Sequence, residues 1–465
     1  MDNSSQPRYV SVAAKYRRAT LVALCMAVLA TQVDTTVVNL AAHSIGEYFF
    51  ASVGALQWVL DSYNLTYAVL LLTGGLLADL YGRRFVFMVG VAVFTVASLL
   101  GAFAPSISIL IGGRALAGLG AALILPASLA IIRVVWHEPV ERSRVLGIWA
   151  ACNGLALAIG PTVGGLLVGS FGWRSIFLVV LPLNLVALVL AALFVPESSA
   201  PDNRHFDIPG QLLGAIALGG LAFSVIYSHN MPGVATIAFF VSLFALGMFI
   251  KTESKRGAVA LVPLDIFRVR EFSGAMVATA GMTFGMYGTL FLLPLTWQIT
   301  GRFGALEAGI ALMPMALVFV MVSSFSGWMA KKIGARLMTS GGVAIIGCGL
   351  LTIGFSAHDG SIIPAEIGLA LTGLGMGLAT GQLMGLAVGA ASADRAGTAS
   401  ALINVARMAG ATIGIAILGA TFAIVHDAPS GLRLSMLLGG LIQILCATVA
   451  WAVTRPVIWD SALKI

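Results

Sequence analysis

Gly75-Leu-Leu-Ala78-Asp79-Leu-Tyr-Gly82-Arg83-Arg84 interrupts a long apolar stretch with two arginines, one acid and two glycines. A degenerate copy, Gly327-Trp-Met-Ala330-Lys331-Lys332-Ile-Gly334-Ala335-Arg336, stands 252 residues further on. The apolar runs on either side are about 20 residues long, enough helix to cross ~30 Å of hydrocarbon. Each decapeptide therefore reads as a turn between two membrane-spanning helices, and the copy as a duplicated unit. Two further matches keep nearly the same spacing. Gly118-Leu-Gly120 pairs with Gly373-Leu-Gly375, 255 apart, and Gly160 with Gly414, 254 apart.

The whole chain agrees with this reading. Of 465 residues, 59% are hydrophobic and 10% charged, where a soluble domain carries about 25% charged. Mean hydropathy is +0.99. So few charges cannot cover a globular surface, which excludes a soluble enzyme, a secreted disulfide scaffold and a nucleic-acid-binding domain. The 54 glycines suit helices that approach closely in lipid. Apolar runs predict fourteen spans, near 19–43, 55–78, 83–103, 107–134, 143–169, 173–195, 207–228, 233–251, 270–298, 305–330, 335–356, 363–389, 395–424 and 433–453. The repeat pairs spans 1–6 with 9–14 and leaves 7 and 8 as an insertion. The expectation is an all-α membrane protein arranged 6+2+6. Its parts are an N-terminal six-helix bundle over 1–195, a two-helix insertion with linkers over 196–256, and a C-terminal six-helix bundle over 257–465.

Charge sets the orientation. Of 26 Lys and Arg, 21 fall in the two tails and in the loops after even-numbered spans; three (Arg174, Arg302 and Arg433) fall in the opposite loops. This positive-inside bias places both termini in the cytoplasm and the protein in the cytoplasmic membrane as a multi-pass chain. It accounts for the net charge of +7 through the lipid bilayer, with no nucleic acid partner. Cys25, Cys152, Cys348 and Cys446 lie in apolar runs without paired spacing and read as packing residues. The sequence shows no metal-ligand spacing, Walker A motif or catalytic cluster. The expectation is no cofactor, no metal, no ATP drive and no enzyme activity.

Of the 19 acids, Asp34 and Asp61 are the two that lie well inside spans, and Arg114 and Arg407 are the two intramembrane cations. Charge in hydrocarbon costs at least ~2.5–3.5 kcal/mol, so such residues are functional candidates by default. At 1.5 Å per residue, Asp34, Asp61 and Arg114 all fall roughly 20 Å above the cytoplasmic face, and Arg407 about 18 Å.

The motifs resemble the major facilitator superfamily, and within it the 14-helix drug:proton antiporters that include quaternary-ammonium and multidrug efflux pumps. Residues 75–84 match the loop 2–3 signature G-x-L-A-D-x-x-G-R-R, and Asp34-Thr-Thr36-Val-Val-Asn39 is similar to the branch's D-x-T-x-V-N in span 1. Arg114-Ala-Leu-Ala117-Gly118-Leu-Gly120 matches R-x-x-Q-G-x-G, except that Ala117 replaces the Gln. Gly154-x5-Gly160-Pro161-x2-Gly164-Gly165 in span 5 resembles the motif associated with antiport.

The resemblance implies a major facilitator fold with spans 1 and 4 lining a central cavity, so that Asp34 and Arg114 face each other. Burial favours the neutral form of a carboxyl and a neighbouring guanidinium the charged form. A carboxyl held between these pulls can exchange a proton for a lipophilic cation. The expected proton-coupling residues are thus Asp34, Asp61 and Arg114. Asp79, Gly82, Arg83, Gly160 and Pro161 are expected to gate, with Gly160-Pro161 bending span 5 and Gly164-Gly165 packing on the other half. The expected cargo contacts are Asp34, Asp61, Asn39, Phe284, Met286, Tyr287, Gln298 and Gln382, since Met and aromatic surfaces suit flat apolar cations. Trp58 and Tyr63 read as interfacial belt residues. The implied activity is export of lipophilic cationic drugs against protons by a monomer. The alternatives are an exporter dedicated to one endogenous metabolite or antibiotic, or a proton-coupled nutrient importer.

Overall fold

A computed structural model describes residues 14–199, 207–256, 262–358, 361–392 and 395–454. The tails 1–13 and 455–465 and Arg204, on which part of the orientation argument rests, lie outside them. Among the described residues, fourteen helices are long and apolar enough to cross a membrane. We number them α1 (Ala14–Phe49), α2 (Val53–Tyr81), α3 (Arg83–Ala102), α4 (Ile107–Val135), α5 (Pro139–Phe171), α6 (Ser175–Phe194) and α7 (Ile208–Ile226). The remainder are α8 (Pro232–Arg256), α9 (Arg270–Ile299), α10 (Ala305–Ile333), α11 (Ala335–Phe355), α12 (Ile363–Gly389), α13 (Ala396–Ala423) and α14 (Ala428–Val453).

Local chemistry fixes the ends of these helices. Ser52, Ser106, Asp207 and Asp427 each accept a backbone N–H at the start of α2, α4, α7 and α14, satisfying donors the helix leaves open. Two helices break, at Val179 in α6 and Leu312 in α10. Pro182 and Pro314 follow closely and lack the N–H that would continue the ladder. The loop signature turns on Gly82 (φ 110°), and its copy on Gly334 (φ 85°). Side chains rarely adopt that backbone, so both turns need glycine.

Contacts divide the chain into two units, Met1–Leu261 with Trp297–Ile310, and Val262–Thr296 with Ala311–Ile465. In the first unit α1 packs on α5 and α6, α2 and α3 pack on α4, and α3 packs on α6. The α7–α8 hairpin packs on itself and leans on α2, where Phe223 meets Trp58 with ring centroids 6.4 Å apart. Most of α8 is exposed, including Ile237, Phe240 and Phe244, as befits a helix bordered by lipid. In the second unit α10 and α11 pack on α12, and α11 and α13 on α14. There Arg395 at the foot of α13 pairs with Asp265 at 2.5 Å and holds that carboxyl below its usual range. The tie is kept at neutral pH and lost as pH falls through the lowered value.

The repeat in the sequence returns as a repeat in packing. The Tyr63 carbonyl fills the space beside Gly118, and the Met315 carbonyl, 252 residues on, fills the space beside Gly373. Gly90 and Phe94 lie against Gly120; Gly342 and Ile346, again 252 on, lie against Gly375. These crossings bring backbones together with no side chain between, as small residues permit in lipid. A methyl group on Gly120 would sit 2.8 Å from the Phe94 nitrogen and 2.9 Å from the Gly90 oxygen. Gly120→Ala should therefore destabilise the protein by about 1–3 kcal/mol. Gly147→Ala, which meets nothing within 4 Å, should not. Thermal unfolding of the two variants in detergent checks the contrast.

Candidate functional site

Asp34 on α1 and Arg114 on α4 meet inside the first unit. Arg114 Nη1 donates to Asp34 Oδ2 at 2.5 Å, and its Nε donates to the Val59 carbonyl on α2 at 3.2 Å. Its guanidinium lies 4.7 Å from the centre of the Tyr63 ring. Asp34, Arg114 and Tyr63 are 1%, 3% and 3% exposed, so the charges attract in a medium that screens little. One arginine thus ties three helices together. The second carboxylate oxygen, Asp34 Oδ1, is buried and has no hydrogen-bond partner among the described residues. It is an open acceptor beside a satisfied one.

Tyr63 is therefore not a belt residue. Although it lies in the N-terminal half of α2, it turns inward, roofs the guanidinium and stacks on Tyr67 at 6.2 Å. Trp58 turns to Phe223 of the insertion. Asp61 is fully buried, and neither of its carboxylate oxygens has a hydrogen-bond partner among the described residues. It is not part of the Asp34–Arg114 pair. Asn39, one turn beyond Thr35 on α1, donates to the Thr35 carbonyl at 3.1 Å, and Gln298 donates to the Leu40 carbonyl at 3.3 Å.

At the loop signature, Asp79 Oδ1 accepts from Arg83 Nη2 at 2.9 Å across one helical turn. The sequence reading missed Glu197. Its two oxygens accept the backbone N–H groups of Arg84 (3.1 Å) and Phe85 (3.0 Å), while Arg84 Nη2 donates to the Ala192 carbonyl at 2.6 Å. Glu197 thus caps α3 from beyond α6, where a helix started by glycine has no side-chain cap of its own. An acid just past a span, opposite an uncapped helix start, was the available signal.

Helix α5 runs unbroken through Pro161. Thr36 of α1 fills the space beside Gly160, and Val37 of α1 packs 3.0 Å from where a side chain on Gly164 would begin. Gly164 therefore packs within its own unit and not on the other half. Gly165 meets Ala305 and Leu306, and Gly309 meets the Pro161 carbonyl, which is why the start of α10 groups with the first unit.

In the second unit, Phe284 (5% exposed) and Met286 (6%) are core residues, and Phe284 packs over Gly414. Tyr287 and Gln382 are part-exposed. Arg407 on α13 has no hydrogen bond or ion pair to any described residue, and its Nε is buried without a partner.

Fourteen apolar helices in a two-unit, duplicated arrangement, with a buried ion pair between the first and fourth, define a membrane transporter of the facilitator fold. The Major Facilitator Superfamily profile matches residues 22–415. The multidrug resistance protein Stp of Mycobacterium tuberculosis is 35% identical over 87% of this chain and 75% of its own. The multidrug efflux pump LfrA of Mycolicibacterium smegmatis is 31% identical over 89% and 83%. A methylenomycin A resistance protein of Bacillus subtilis is 31% identical over 93% of both chains. Among solved structures, an inward-facing bacterial homolog of the human lysosomal transporter Spinster shares the fold with a TM-score of 0.69. It is 18% identical and covers 95% of this chain and 97% of its own. The chain belongs to the Major Facilitator Superfamily, among its multidrug efflux pumps.

Removing one partner of a buried ion pair strands the other charge. Asp34→Ala should lower stability by about 3–5 kcal/mol. The double variant Asp34→Asn/Arg114→Gln should lose much less, as thermal unfolding of wild type and both variants would show.

Proposed function

We propose that the protein is a proton-coupled antiporter that exports lipophilic cations, such as quaternary ammonium compounds, dyes and biocides, across the cytoplasmic membrane. In this reading it works as a monomer with both termini in the cytoplasm. On the same reading, the bundles 1–195 and 257–465 alternate access to the cargo, and the insertion 196–256 has no assigned part. The observation that carries the reading is the Asp34 carboxylate, buried with one oxygen on Arg114 and the other open.

A proton arriving at Oδ1 neutralises Asp34 and weakens its hold on Arg114. A cation arriving there competes for the same negative charge. Proton and cargo then exclude each other, which is antiport expressed as electrostatics. Asp61, buried without a hydrogen-bond partner, is the second acid of the relay. Asp79, Gly82 and Arg83 form the gate turn. There the Asp79–Arg83 pair and the Glu197 cap are contacts that one conformation makes and another can break. Gly160 and Pro161 seal α5 against α1. Tyr287 and Gln382, being part-exposed, are the stronger cargo contacts of the second unit; Phe284 and Met286 shape the wall behind them. Asn39 and Gln298, both buried, complete the cargo set.

The relatives named for methylenomycin A resistance support a second reading, an exporter dedicated to one antibiotic. Transport assays with chemically diverse cargo separate the two.

Drug-induced proton release from proteoliposomes tests the main reading. Asp34→Asn should abolish it while the protein still reaches the membrane, and Asp61→Asn should reduce it. Wild-type proton release from the Asp34→Asn protein would overturn the assignment.

A further inference from the structure

Among the described residues, Arg407 is a cation without a counter-ion. It is the twelfth residue of α13, about 17 Å along the helix. The sequence places no Asp or Glu in the middle of any span of the second unit. Arg114 in the first unit is fully engaged by Asp34, Val59 and Tyr63, whereas Arg407 has no such partner and its Nε is buried without one. The duplication makes the contrast sharper. Gly118 and Gly373 are equivalent by packing, so the counterpart of Arg114 is Leu369, which is fully buried. The counterpart of Arg407, at the Gly160–Gly414 spacing, is Asn153. The second half has thus dropped one intramembrane arginine and acquired another elsewhere.

Arg407 also stands in polar company. Ser400, Asn404 and Arg407 follow one another at helical spacing on one part-exposed face of α13. Asn404 donates to the Ser400 carbonyl at 2.8 Å. An intramembrane guanidinium is a fork of donors that matches a carboxylate or phenolate. A fixed charge kept in the span without a protein partner calls for one that arrives with the cargo.

We infer that Arg407, with Asn404 on the same part-exposed face of α13, is a recognition site for an acid group on the cargo. The substrate class then extends to lipophilic carboxylates and phenolates, including those that also carry a basic nitrogen. This rests on the reading of the protein as a drug exporter and adds a cargo class to it.

The test uses a lipophilic fluorescent carboxylate dye and its methyl ester, alike except for the charge. Purified full-length wild type should bind the acid about tenfold more tightly than the ester. Arg407→Gln should bind both equally, at the affinity of the wild type for the ester, and Arg407→Lys should retain part of the preference. Ester binding controls for folding of each variant. Equal affinity of the wild type for acid and ester overturns the inference, and so does an equal loss of both in Arg407→Gln. Loss of the preference on adding anionic phospholipid assigns the arginine to a lipid headgroup and also overturns it. Export from proteoliposomes is measured separately. Acid-selective binding without export refutes the exporter reading and leaves the recognition site standing; export with no acid preference does the reverse.

Discussion

An uncompensated charge is the most expensive thing this chain can place among its apolar helices, and the first unit is organised around compensating it. Arg114 holds Asp34 through a charged hydrogen bond, reaches the backbone of α2 at Val59, and lies under the Tyr63 ring. The surrounding helices are packed tightly enough to exclude water from all three side chains. That packing relies on glycines at the crossings, where Gly118 takes the Tyr63 carbonyl itself as neighbour. The position of the aromatic roof and the closeness of α2 to α4 are therefore one constraint. A bulkier residue at the crossing would lift Tyr63 off the guanidinium as well as part the helices.

The duplicated architecture separates what holds the protein together from what gives it chemistry. Backbone crossings recur 252 residues apart, at Tyr63–Gly118 and Met315–Gly373 and again at Gly90–Gly120 and Gly342–Gly375. Charges do not recur. The level that carries Arg114 in the first half carries Leu369 in the second. Proton chemistry, in the reading proposed above, then belongs to one half of a molecule whose two halves share a packing plan.

Much of the fold was legible because hydrocarbon thickness imposes a length that can be counted. A run of apolar residues between Arg84 and Pro105 needs no tertiary information to be read as a span. The layer of Asp34, Asp61 and Arg114 was visible for the same reason, since depth follows from position along a helix. Facing is different: it depends on helix rotation and on which neighbours lie alongside. An aromatic near a helix end looks like a belt residue in the sequence, yet Tyr63 turns inward. Gly164 meets α1 without any local signal. Glu197 sits in a linker where acids are common, and its role follows only once the start of α3 is in place beside it. The breaks at Val179 and Leu312 were within reach through Pro182 and Pro314, but proline is tolerated inside α4, α5 and α9, so its presence alone does not decide.

The shared crossings also bear on how such a pump diversifies. Positions where one backbone rests on another, such as Gly118, Gly120, Gly373 and Gly375, admit almost no substitution, and nearly every neighbour is set by them. In the reading proposed above, cargo range is left to part-exposed positions, among them Tyr287, Gln382 and Asn404. Selection for a new toxin would then act on a few residues along a fixed scaffold, and resistance spectra could drift quickly among relatives whose frames stay superimposable.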